Sequence, residues 1–596
     1  MFRSIRRLLL PNSFDANLKK CAKKGGKKVC LGWNRGLGDI ALGLYAMIQR
    51  IREFIPDAEI TFVTRANLKD GFSLLKGINV LIDPDLQRGM CWDLSSSLKK
   101  MGKDPKSYDL LIPRPNPTEW VRWQRGKVVP KLQWKEEELW RKFDLPDGYI
   151  YIGVQCVVET SYGLWRNWPL SHWEQLFSRL VAFPHVKILL LGGVEKTTFN
   201  HQNLIDLRGK TSLFELLSIV RHKCSQMILP DSGILSMVYY LDISFPIHVI
   251  SLWGDPDHGI LKQAVASPNP QCKHTPLIGA LRDLSTVTVD QMMNALFPPK
   301  PLRECPEARI TGSLKGVGTI ILAGGQGSRL GHFGPKGTFQ ILGKSLFEWI
   351  CEKAPKEHFP IAVMTSPINH EATVEFFAKN HNFEREIYFF QQEMASFLDE
   401  RKKETSVQVP SGNGSVFASF ANSGLLELFQ QKGIDLITIV PVENPLANVA
   451  DPLLIGHARG SDVTLKCVKR ESPLESMGAI VEREGKIEIV EYMDLDPKEE
   501  YVYSNTGMMA ISLSFFEKMK DIVLPIHWVR KKLPGTKKWG WKGEKFIFDV
   551  LPFARTSAVC FSRKSCYAPL KNIDAQKRIE ETLLQMNHLA GMSKIG

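Results

Sequence analysis

The chain carries the stretch Leu-Ala-Gly-Gly-Gln-Gly-Ser-Arg-Leu-Gly at residues 322–331, followed by Pro-Lys-Gly at residues 335–337. The residues just before it, Val317 to Leu322, are a short apolar run rich in β-branched side chains, which predicts a buried strand. Glycines at a strand end let backbone N–H groups approach an anion closely, and Arg329 and Lys336 add positive charge for phosphate oxygens. The stretch therefore predicts a nucleotide-binding loop in an α/β domain.

Three other interpretations of these glycines are an ordinary turn, a dinucleotide-binding loop and a Walker A loop. An ordinary glycine-rich turn would account for Gly324-Gly325 alone, but not for the two cations that follow. A dinucleotide-binding loop requires glycine where the chain has Leu330, and a Walker A loop requires Gly-Lys-Ser/Thr, which is absent here.

The length of 596 residues predicts two to four domains. No apolar run approaches the roughly 20 residues that span a bilayer, and the N-terminus lacks a secretory signal, so we expect the protein to stay in the cytoplasm. The 11 cysteines include no Cys-x-x-Cys pair, which argues against a disulfide framework and a zinc site.

The formal net charge of +14 is accompanied by no zinc finger, ribonucleoprotein motif or basic helix, so we expect no nucleic-acid partner. Phosphorylated substrates explain this charge equally well. Arg3, Arg6, Arg7 and the lysines between residues 19 and 28, with the apolar residues Phe2, Ile5 and Leu8–Leu10, could rest on an anionic membrane, and a solvated tail is the alternative. The oligomeric state cannot be predicted.

Strand-like apolar runs alternate with helical stretches along the first half of the chain, which predicts parallel sheets covered by helices. A charged, helix-like stretch from Lys135 to Phe143 leads into a new strand and predicts a break between two Rossmann-like subdomains. The proline-rich residues from Pro298 predict the main linker. The predicted divisions are a basic N-terminal segment and two subdomains (1–28, 29–145 and 146–297), then the linker and a C-terminal domain (298–315 and 316–596).

In the second half the strand and helix alternation restarts at Val317. Two later strand-like runs, Ala479 to Val481 and Ile487 to Tyr492, flank a Glu-Gly turn and predict an antiparallel hairpin. The fold class is therefore α/β throughout, with a mixed sheet in the C-terminal domain.

Further segments of this half, in order, resemble those of the UDP-sugar pyrophosphorylases, and most closely the UDP-N-acetylhexosamine branch. Together with the glycine loop they span roughly residues 316–572. The segments are Met364-Thr365-Ser366, Phe389-Phe390-Gln391-Gln392, Pro410-Ser411-Gly412-Asn413-Gly414, Val442-Glu443-Asn444-Pro445-Leu446, Ala450-Asp451-Pro452, Glu491-Tyr492, the Lys531-Lys532 doublet, Lys542 to Asp549, and Pro569-Leu570-Lys571-Asn572.

The resemblance implies a domain similar to the GT-A fold, Mg²⁺ as cofactor, and UTP and a sugar-1-phosphate as substrates. It implies roles for residues matching the family's motifs. Arg329 and Lys336 would be catalytic and Glu443 would bind the metal. The substrate-binding set would be Leu322, Ala323, Gly324, Gly325, Gln392, Gly412, Asn413, Glu491, Tyr492, Lys542 and one of Lys531 and Lys532, of which we select Lys532.

The chain departs from the family pattern at two positions that matter for chemistry. Glu443 stands where the family has an aspartate that binds Mg²⁺, and its extra methylene shifts the carboxylate. Met508 stands where the family usually has asparagine. We therefore expect these departures to affect metal geometry and sugar choice more than nucleotide binding.

The first half contains Gly36-Leu37-Gly38-Asp39, Trp165 to Pro169, Leu190 to Gly193, Asp206 to Leu213 and Asp231-Ser232-Gly233. In this order they resemble the heptosyltransferase-like glycosyltransferases, which implies a GT-B fold with a nucleotide-sugar donor. Asp39 would be the general base, although an aspartate after glycine is equally often a helix N-cap. Arg166, Asp231, Ser232 and Gly233 would bind the donor. The family often has histidine where this chain has Ser236, which leaves a scaffold as an alternative.

The sequence predicts a uridylyltransferase that makes UDP-N-acetylglucosamine and pyrophosphate, fused to a glycosyltransferase-like half. Glucose-1-phosphate is the alternative substrate. A catalytically weakened UDP-sugar-binding protein is the alternative class, because Glu443, Met508 and Ser236 each depart from a family pattern.

Overall fold

The computed structural model describes residues 13–116, 125–135, 137–158, 164–400, 403–533, 536 and 538–592. The chain divides into two compact units, residues 1–296 and 297–596. Both are mixed α/β with parallel sheets, as the alternating pattern predicts. Among the described residues, no helix is at once long and apolar enough to cross a bilayer.

The first sheet of unit 1 is parallel, in the order β3-β2-β1-β4. Its strands are β1 (Lys28–Trp33), β2 (Glu59–Thr64), β3 (Ile78–Ile82) and β4 (Leu110–Ile112). The strand order reverses direction between β1 and β4, and at such a point the carboxyl ends of the strands open a crevice where ligands bind. Asp39 follows β1 at this crevice.

The second sheet of unit 1 is also parallel, in the order β10-β9-β8-β5-β6-β7. Its strands are β5 (Ile150–Val154), β6 (Val186–Leu190), β7 (Leu204–Asp206), β8 (Cys224–Pro230), β9 (Ile247–Trp253) and β10 (Cys272–Ile278). Helices of this unit include Ser13–Lys23, Tyr45–Phe54, Lys69–Ser73, Leu94–Lys100, Leu170–Leu180, Leu213–His222, Gly233–Tyr239, Gly259–Gln263 and Val289–Leu296.

The large sheet of unit 2 is mixed, with parallel strands at its centre and antiparallel strands on one side. Its strands are β11 (Lys300–Pro301), β12 (Val317–Leu322), β15 (Ile361–Thr365), β16 (Ile387–Gln391), β19 (Leu436–Pro441), β20 (Val463–Lys469), β21 (Ala479–Arg483), β22 (Lys486–Val490), β23 (Tyr503–Ser512) and β26 (Thr556–Phe561). β21 and β22 form the predicted hairpin around Glu484-Gly485.

A separate antiparallel sheet of unit 2 has the order β18-β17-β25-β24. Its strands are β17 (Met394–Asp399), β18 (Glu404–Pro410), β24 (His527–Lys532) and β25 (Trp539–Glu544), and a small hairpin pairs β13 (Gln340–Ile341) with β14 (Lys344–Ser345). Helices of this unit include Leu346–Cys351, His370–Lys379, Val416–Asn422, Leu425–Gln431, Pro452–Ala458, Leu513–Met519, Arg563–Cys566 and Gln576–Met592.

The segment predicted as a linker, residues 298–315, is packed onto unit 2 instead. β11 pairs with Val481 and Glu482 of β21, and farther along, Ala308 N–H donates to the carbonyl of Cys560 at 3.1 Å. At Gly312, an added Cβ would lie 2.5 Å from the backbone nitrogen of Gly456. The proline-rich composition therefore reflects an extended strap along strand edges, where proline's missing N–H is tolerated.

Two other predicted segments differ from their description above. Among the described residues of the stretch 135–143, the helical part is a short turn, Leu139–Lys142. Trp140 packs on His222, and its backbone N–H donates to Ser218 Oγ at 3.1 Å. In the basic N-terminal segment, the helix Ser13–Lys23 buries Leu18 and Cys21. Residues 2–10 of the predicted membrane contact lie outside the described residues.

Candidate functional site

The glycine loop begins where β12 ends, between the parallel neighbours β15 and β19. Asn369 holds the loop in place, because its amide nitrogen donates to the carbonyls of Ala323 at 2.9 Å and Gly325 at 3.2 Å. Asn369 is 1% exposed, and its amide oxygen accepts from Ser366 N–H at 2.8 Å. Sequence analysis missed this residue, although it closely follows the Met364-Thr365-Ser366 segment.

Gly324 and Gln392 meet across the loop. Gln392 follows β16 and is 7% exposed. A Cβ added at Gly324 would lie 1.7 Å from Gln392 Nε2, a distance at which two atoms cannot coexist. Glycine at 324 is therefore needed for the Gln392 amide to keep this position. The fold thus brings together the two segments from which nucleotide binding is predicted.

Lys336 and Glu443 form an ion pair beside the loop. Lys336 Nζ lies 2.6 Å from Glu443 Oε2, and the two side chains are 15% and 32% exposed. The N–H of Lys336 also donates to the carbonyl of Gly325 at 3.1 Å, which ties the lysine to the loop. Arg329 is exposed and forms no ion pair with any described residue. The predicted metal ligand therefore stands in direct contact with one predicted catalytic cation.

The turn at Gly412-Asn413 packs on the late lysine segment. Gly412 has a φ of +98°, and an added Cβ would lie 2.4 Å from the carbonyl oxygen of Lys545. Gly414 N–H donates to the same carbonyl at 2.9 Å, and the amide oxygen of Asn413 accepts from Ile547 N–H at 3.0 Å. Because this oxygen is used within the fold, the Nδ2 group is the part of Asn413 left for a ligand.

The two lysines of the doublet point to opposite faces of the β24–β25 hairpin. Lys542 Nζ lies 2.6 Å and Lys531 Nζ 3.3 Å from Glu544 Oε1, so these three groups share one face. Lys532 lies on the other face, with its Nζ 5.7 Å from the centre of the Trp539 ring. The structure thus brings Lys531 to Lys542, and it does not bring Lys532 there. Burial raises the pKa of Glu544, but the hydrogen bonds and charges of Lys542 and Lys531 together outweigh this and hold the pKa below its usual range.

Glu491 and Tyr492 follow β22. Burial, reinforced by the nearby charge of Asp494, raises the pKa of Glu491. Tyr492 is 46% exposed. His527, which charge interactions couple to Glu491, hydrogen-bonds Asp549 Oδ2 at 2.9 Å and lies with its ring centre 4.6 Å from that of Phe546. This aromatic and histidine group was missed because its members are far apart in sequence.

Met508 packs beneath Asn444 in the core. Its sulfur lies 3.7 Å from Asn444 Nδ2, which donates to the carbonyl of Cys566 at 2.7 Å. The amide oxygen of Asn444 accepts from Ala568 N–H at 3.1 Å. Neither side chain is more than 1% exposed, so the methionine supports the loop after β19 through packing.

Two lysines beneath the site, one buried and one half-buried, were not predicted. Lys466, 2% exposed, pairs with Asp451, which also caps the helix Pro452–Ala458. Lys353 donates to the carbonyls of Pro445 and Ala447, the latter at 3.0 Å, and so holds the loop that carries Glu443. Burial of the Lys353 ammonium lowers its pKa to about 7. For Lys466 the sequence signal is a lysine in the middle of the otherwise largely apolar strand β20.

The predicted site residues of unit 1 also lie together. Arg166 Nη2 is 3.1 Å from Asp231 Oδ2, and charge interactions couple both groups to Asp39. Burial raises the pKa of Asp39 to about 6. Ser232 Oγ accepts from Leu235 N–H at 3.2 Å and caps the helix that begins at Gly233.

The start of that helix is covered by the loop after β1. A Cβ added at Gly233 would lie 3.0 Å from Leu37 Cβ and 3.2 Å from the nitrogen of Gly38. The start of the helix therefore packs closely against this loop.

Comparison with known proteins places the family resemblance on residues 283–522, which match the family model described as UTP--glucose-1-phosphate uridylyltransferase. The chain is 34% identical over 281 residues to a probable UDP-N-acetylglucosamine pyrophosphorylase of Encephalitozoon cuniculi, covering 43% of this chain and 81% of that protein. It is 33% identical over 309 residues to UDP-N-acetylglucosamine diphosphorylase 1 of Arabidopsis thaliana, covering 43% of this chain.

The chain spans 61% of the length of the Arabidopsis protein. Among solved structures, a putative UDP-N-acetylglucosamine pyrophosphorylase from Entamoeba histolytica is 27% identical, with a TM-score of 0.44, and the match covers 46% of this chain and 83% of that one. On the identity to the Encephalitozoon protein across most of its length, the chain belongs to the uridylyltransferase family that includes the UDP-N-acetylglucosamine pyrophosphorylases.

Proposed function

We propose that unit 2 transfers the uridylyl group of UTP to N-acetylglucosamine-1-phosphate. A phosphate oxygen of the sugar phosphate attacks the α-phosphorus of UTP, the bond from that phosphorus to the β-phosphate oxygen breaks, and pyrophosphate leaves. Such a transfer asks a protein mainly to align two anions and to stabilise the charge that builds up between them. The observation that carries the proposal is the pairing of Lys336 with Glu443 beside the glycine loop.

The nucleotide would be held by the loop residues Leu322, Ala323, Gly324 and Gly325. The Gln392 amide, which lies against Gly324, can donate to and accept from the edge of a uracil ring. Arg329 and Lys336 would stabilise the phosphate charge, and Lys542 would extend this cationic group, with Lys531 as its neighbour in the structure. Asn413 Nδ2, Glu491 and Tyr492 would contact the sugar.

The residues present are compatible with Mg²⁺ bound through one carboxylate and the substrate phosphates, which is a common arrangement for this ion. The described residues contain no group of three or more acidic, histidine or cysteine side chains that could hold a metal by themselves. Glu443 would be the protein ligand, and Lys336 would hold its carboxylate in place. When bound, the ion would neutralise charge on the phosphates.

Pyrophosphate release from the purified protein, with UTP, Mg²⁺ and each sugar phosphate, tests the proposal. We expect release with N-acetylglucosamine-1-phosphate, and glucose-1-phosphate is the alternative substrate. Lys336→Ala should lower kcat about 100-fold or more, the scale for losing a group that stabilises transition-state charge. Lys344→Ala is the matched control, since this lysine pairs with Glu352 at the surface.

Two results would overturn the enzymatic assignment. Full activity of Lys336→Ala would remove the cation from the mechanism. Binding of UDP-sugars without release of pyrophosphate from any sugar phosphate would favour the weakened binding protein, to which Glu443 points.

For unit 1, we propose a GT-B glycosyltransferase that uses a nucleotide-sugar. It is supported by two parallel sheets with Asp39, Arg166 and Asp231 gathered at strand ends. The burial-raised pKa of Asp39, about 6, suits a general base near neutral pH. The covered start of the Gly233 helix favours a scaffold as the second candidate.

Slow hydrolysis of nucleotide-sugars by the Lys336→Ala chain would report on unit 1 alone. If Asp39 is the base, the rate should rise with pH to a plateau with an apparent pKa near 6, and Asp39→Asn should abolish it. Unchanged hydrolysis in Asp39→Asn, or no hydrolysis at all, would favour the scaffold. We propose the cytoplasm as the compartment in which both units work.

A further inference from the structure

One face of the β24–β25 hairpin has no part in the proposed uridylyl transfer. The antiparallel register pairs Lys532 with Trp539 and Arg530 with Trp541. Because side chains alternate between the faces of a strand, these residues and Trp528 lie on the face opposite Lys531, Lys542 and Glu544. We call it the outer face of the hairpin.

Exposed aliphatic residues precede the hairpin in the chain, and one of them, Ile526, adjoins the outer face. Trp528 is 37% and Trp539 45% exposed, and the aliphatic residues are Ile522 at 44%, Val523 at 83% and Ile526 at 37%. A Cβ added at Gly543 would lie 2.7 Å from Ile526 Cγ2 and 3.1 Å from Trp528 Cζ3, so these two side chains share one surface. Exposed apolar residues that adjoin one another mark interaction sites, whereas scattered ones do not.

Cations flank the aromatic rings of the outer face. Arg530 Cζ lies 5.3 Å and Lys532 Nζ 5.7 Å from the centre of the Trp539 ring, and Lys538 beside it is exposed. The register places Glu404 of β18 on the same face through Leu398 and Trp541. A second acidic neighbour, Glu400, has its carboxylate 2.9 Å from Arg530. Both partners are more than half exposed, so this ion pair is weak and Arg530 can exchange it for another anion.

We propose that the outer face docks on a membrane leaflet that contains anionic phospholipids. Tryptophan prefers the level of the lipid headgroups, aliphatic side chains enter the region below it, and lysine and arginine attract anionic headgroups. All three kinds of residue meet on this surface. The net charge of +14 adds long-range attraction to the same leaflet.

A single-stranded nucleic acid is the other polyanion to consider. Proteins that bind it stack successive bases on open aromatic faces along a basic groove. Here the Trp539 ring is already accompanied by two cations, and Trp528 adjoins an isoleucine. The mixture of aliphatic and cationic neighbours favours a lipid surface.

Co-sedimentation of the full chain with vesicles tests the proposal. We expect binding to vesicles of phosphatidylcholine with phosphatidylserine, little binding to phosphatidylcholine alone, and weaker binding at high salt. The double variant Trp528→Ser, Trp539→Ser should bind at least tenfold more weakly, and Lys538→Glu about tenfold more weakly because it reverses one charge.

Leu474→Ser is the matched control, since this residue is 91% exposed in the same unit. It should bind vesicles as the unmodified chain does. Unchanged thermal unfolding and pyrophosphate release in the double variant would show that it is folded.

Four outcomes would overturn the proposal. The first is that the unmodified chain fails to bind anionic vesicles, and the second is that the double variant binds them equally well. If vesicles are not bound but a single-stranded oligonucleotide is, and only through the two tryptophans, the partner is a nucleic acid. If instead sedimentation velocity shows a dimer that the double variant dissociates, the partner is a second copy of the chain.

Discussion

Replacing Gly324 by alanine should weaken the binding of the uracil ring while leaving the fold intact. The added methyl would lie 1.7 Å from Gln392 Nε2 and 2.8 Å from Gln392 Cδ, so the amide must leave its position. This is the end of a side chain and not backbone, so it can rotate away at small cost to stability. What is lost is one or two hydrogen bonds to the base, each worth about 0.5–1.5 kcal/mol, which corresponds to a roughly 2- to 160-fold fall in kcat/KM for UTP.

Pyrophosphate release measured over a range of UTP concentrations gives this ratio. The double variant Gly324→Ala, Gln392→Ala makes the test specific, because the methyl then occupies space that the glutamine has vacated. We expect it to be no worse than Gln392→Ala alone. Gly460→Ala is the control, since an added Cβ there has no atom within 4 Å. Multiplicative losses in the double variant, or an unchanged kcat/KM in Gly324→Ala, would refute the reasoning.

Three further perturbations test the groups beneath and beside the site. The pKa of Lys353 is lowered to about 7, so the unfolded chain binds the extra proton up to about pH 10 and the native chain does not. The unfolding free energy of the unmodified protein should therefore rise, relative to that of Lys353→Met, by about 1 kcal/mol per pH unit between about pH 7 and 9. Urea denaturation measures this difference, and parallel pH profiles of the two proteins would contradict the expectation. Lys466→Met should lower the unfolding free energy by about 3–5 kcal/mol in the same assay, because it leaves Asp451 buried and unpaired. Asp451→Asn in that background should recover part of this loss. A loss below about 1 kcal/mol would mean that the ion pair is solvated. Lys531→Ala should lower kcat more than Lys532→Ala, since only Lys531 shares a face with Lys542, and the reverse order would place Lys532 in the site.

The buried parallel strands were predictable because each is a continuous apolar run. β12 begins and ends at the predicted residues, Val317 and Leu322. The sheet containing β18 and β24 was missed, because one face of each strand is exposed and carries charges. Sequences such as Glu404–Pro410 and His527–Lys532 show no apolar run.

The site was predictable where one short motif holds its own chemistry, as in the glycine loop. The site was less predictable where only the fold brings a residue to its place in the site. The alternation of side chains along the hairpin strands decides which lysine of the 531–532 doublet meets Lys542. Two adjacent lysines in a sequence do not show which of them lies on that face. Asn369, Lys353 and Lys466 act on backbone or carboxylate groups distant in sequence, so their roles emerge only after folding.

The strap at residues 298–315 determines where the chain can be cut. Leu302 N–H donates to the carbonyl of Ile480, and Cys560 N–H donates to that of Pro306 at 2.8 Å, so the strap occupies the open edges of β21 and β26. A fragment that begins at residue 316 would expose these edges, and unpaired strand edges recruit one another. Such a fragment should aggregate on expression, whereas one that begins before Phe297 would keep these two edges paired.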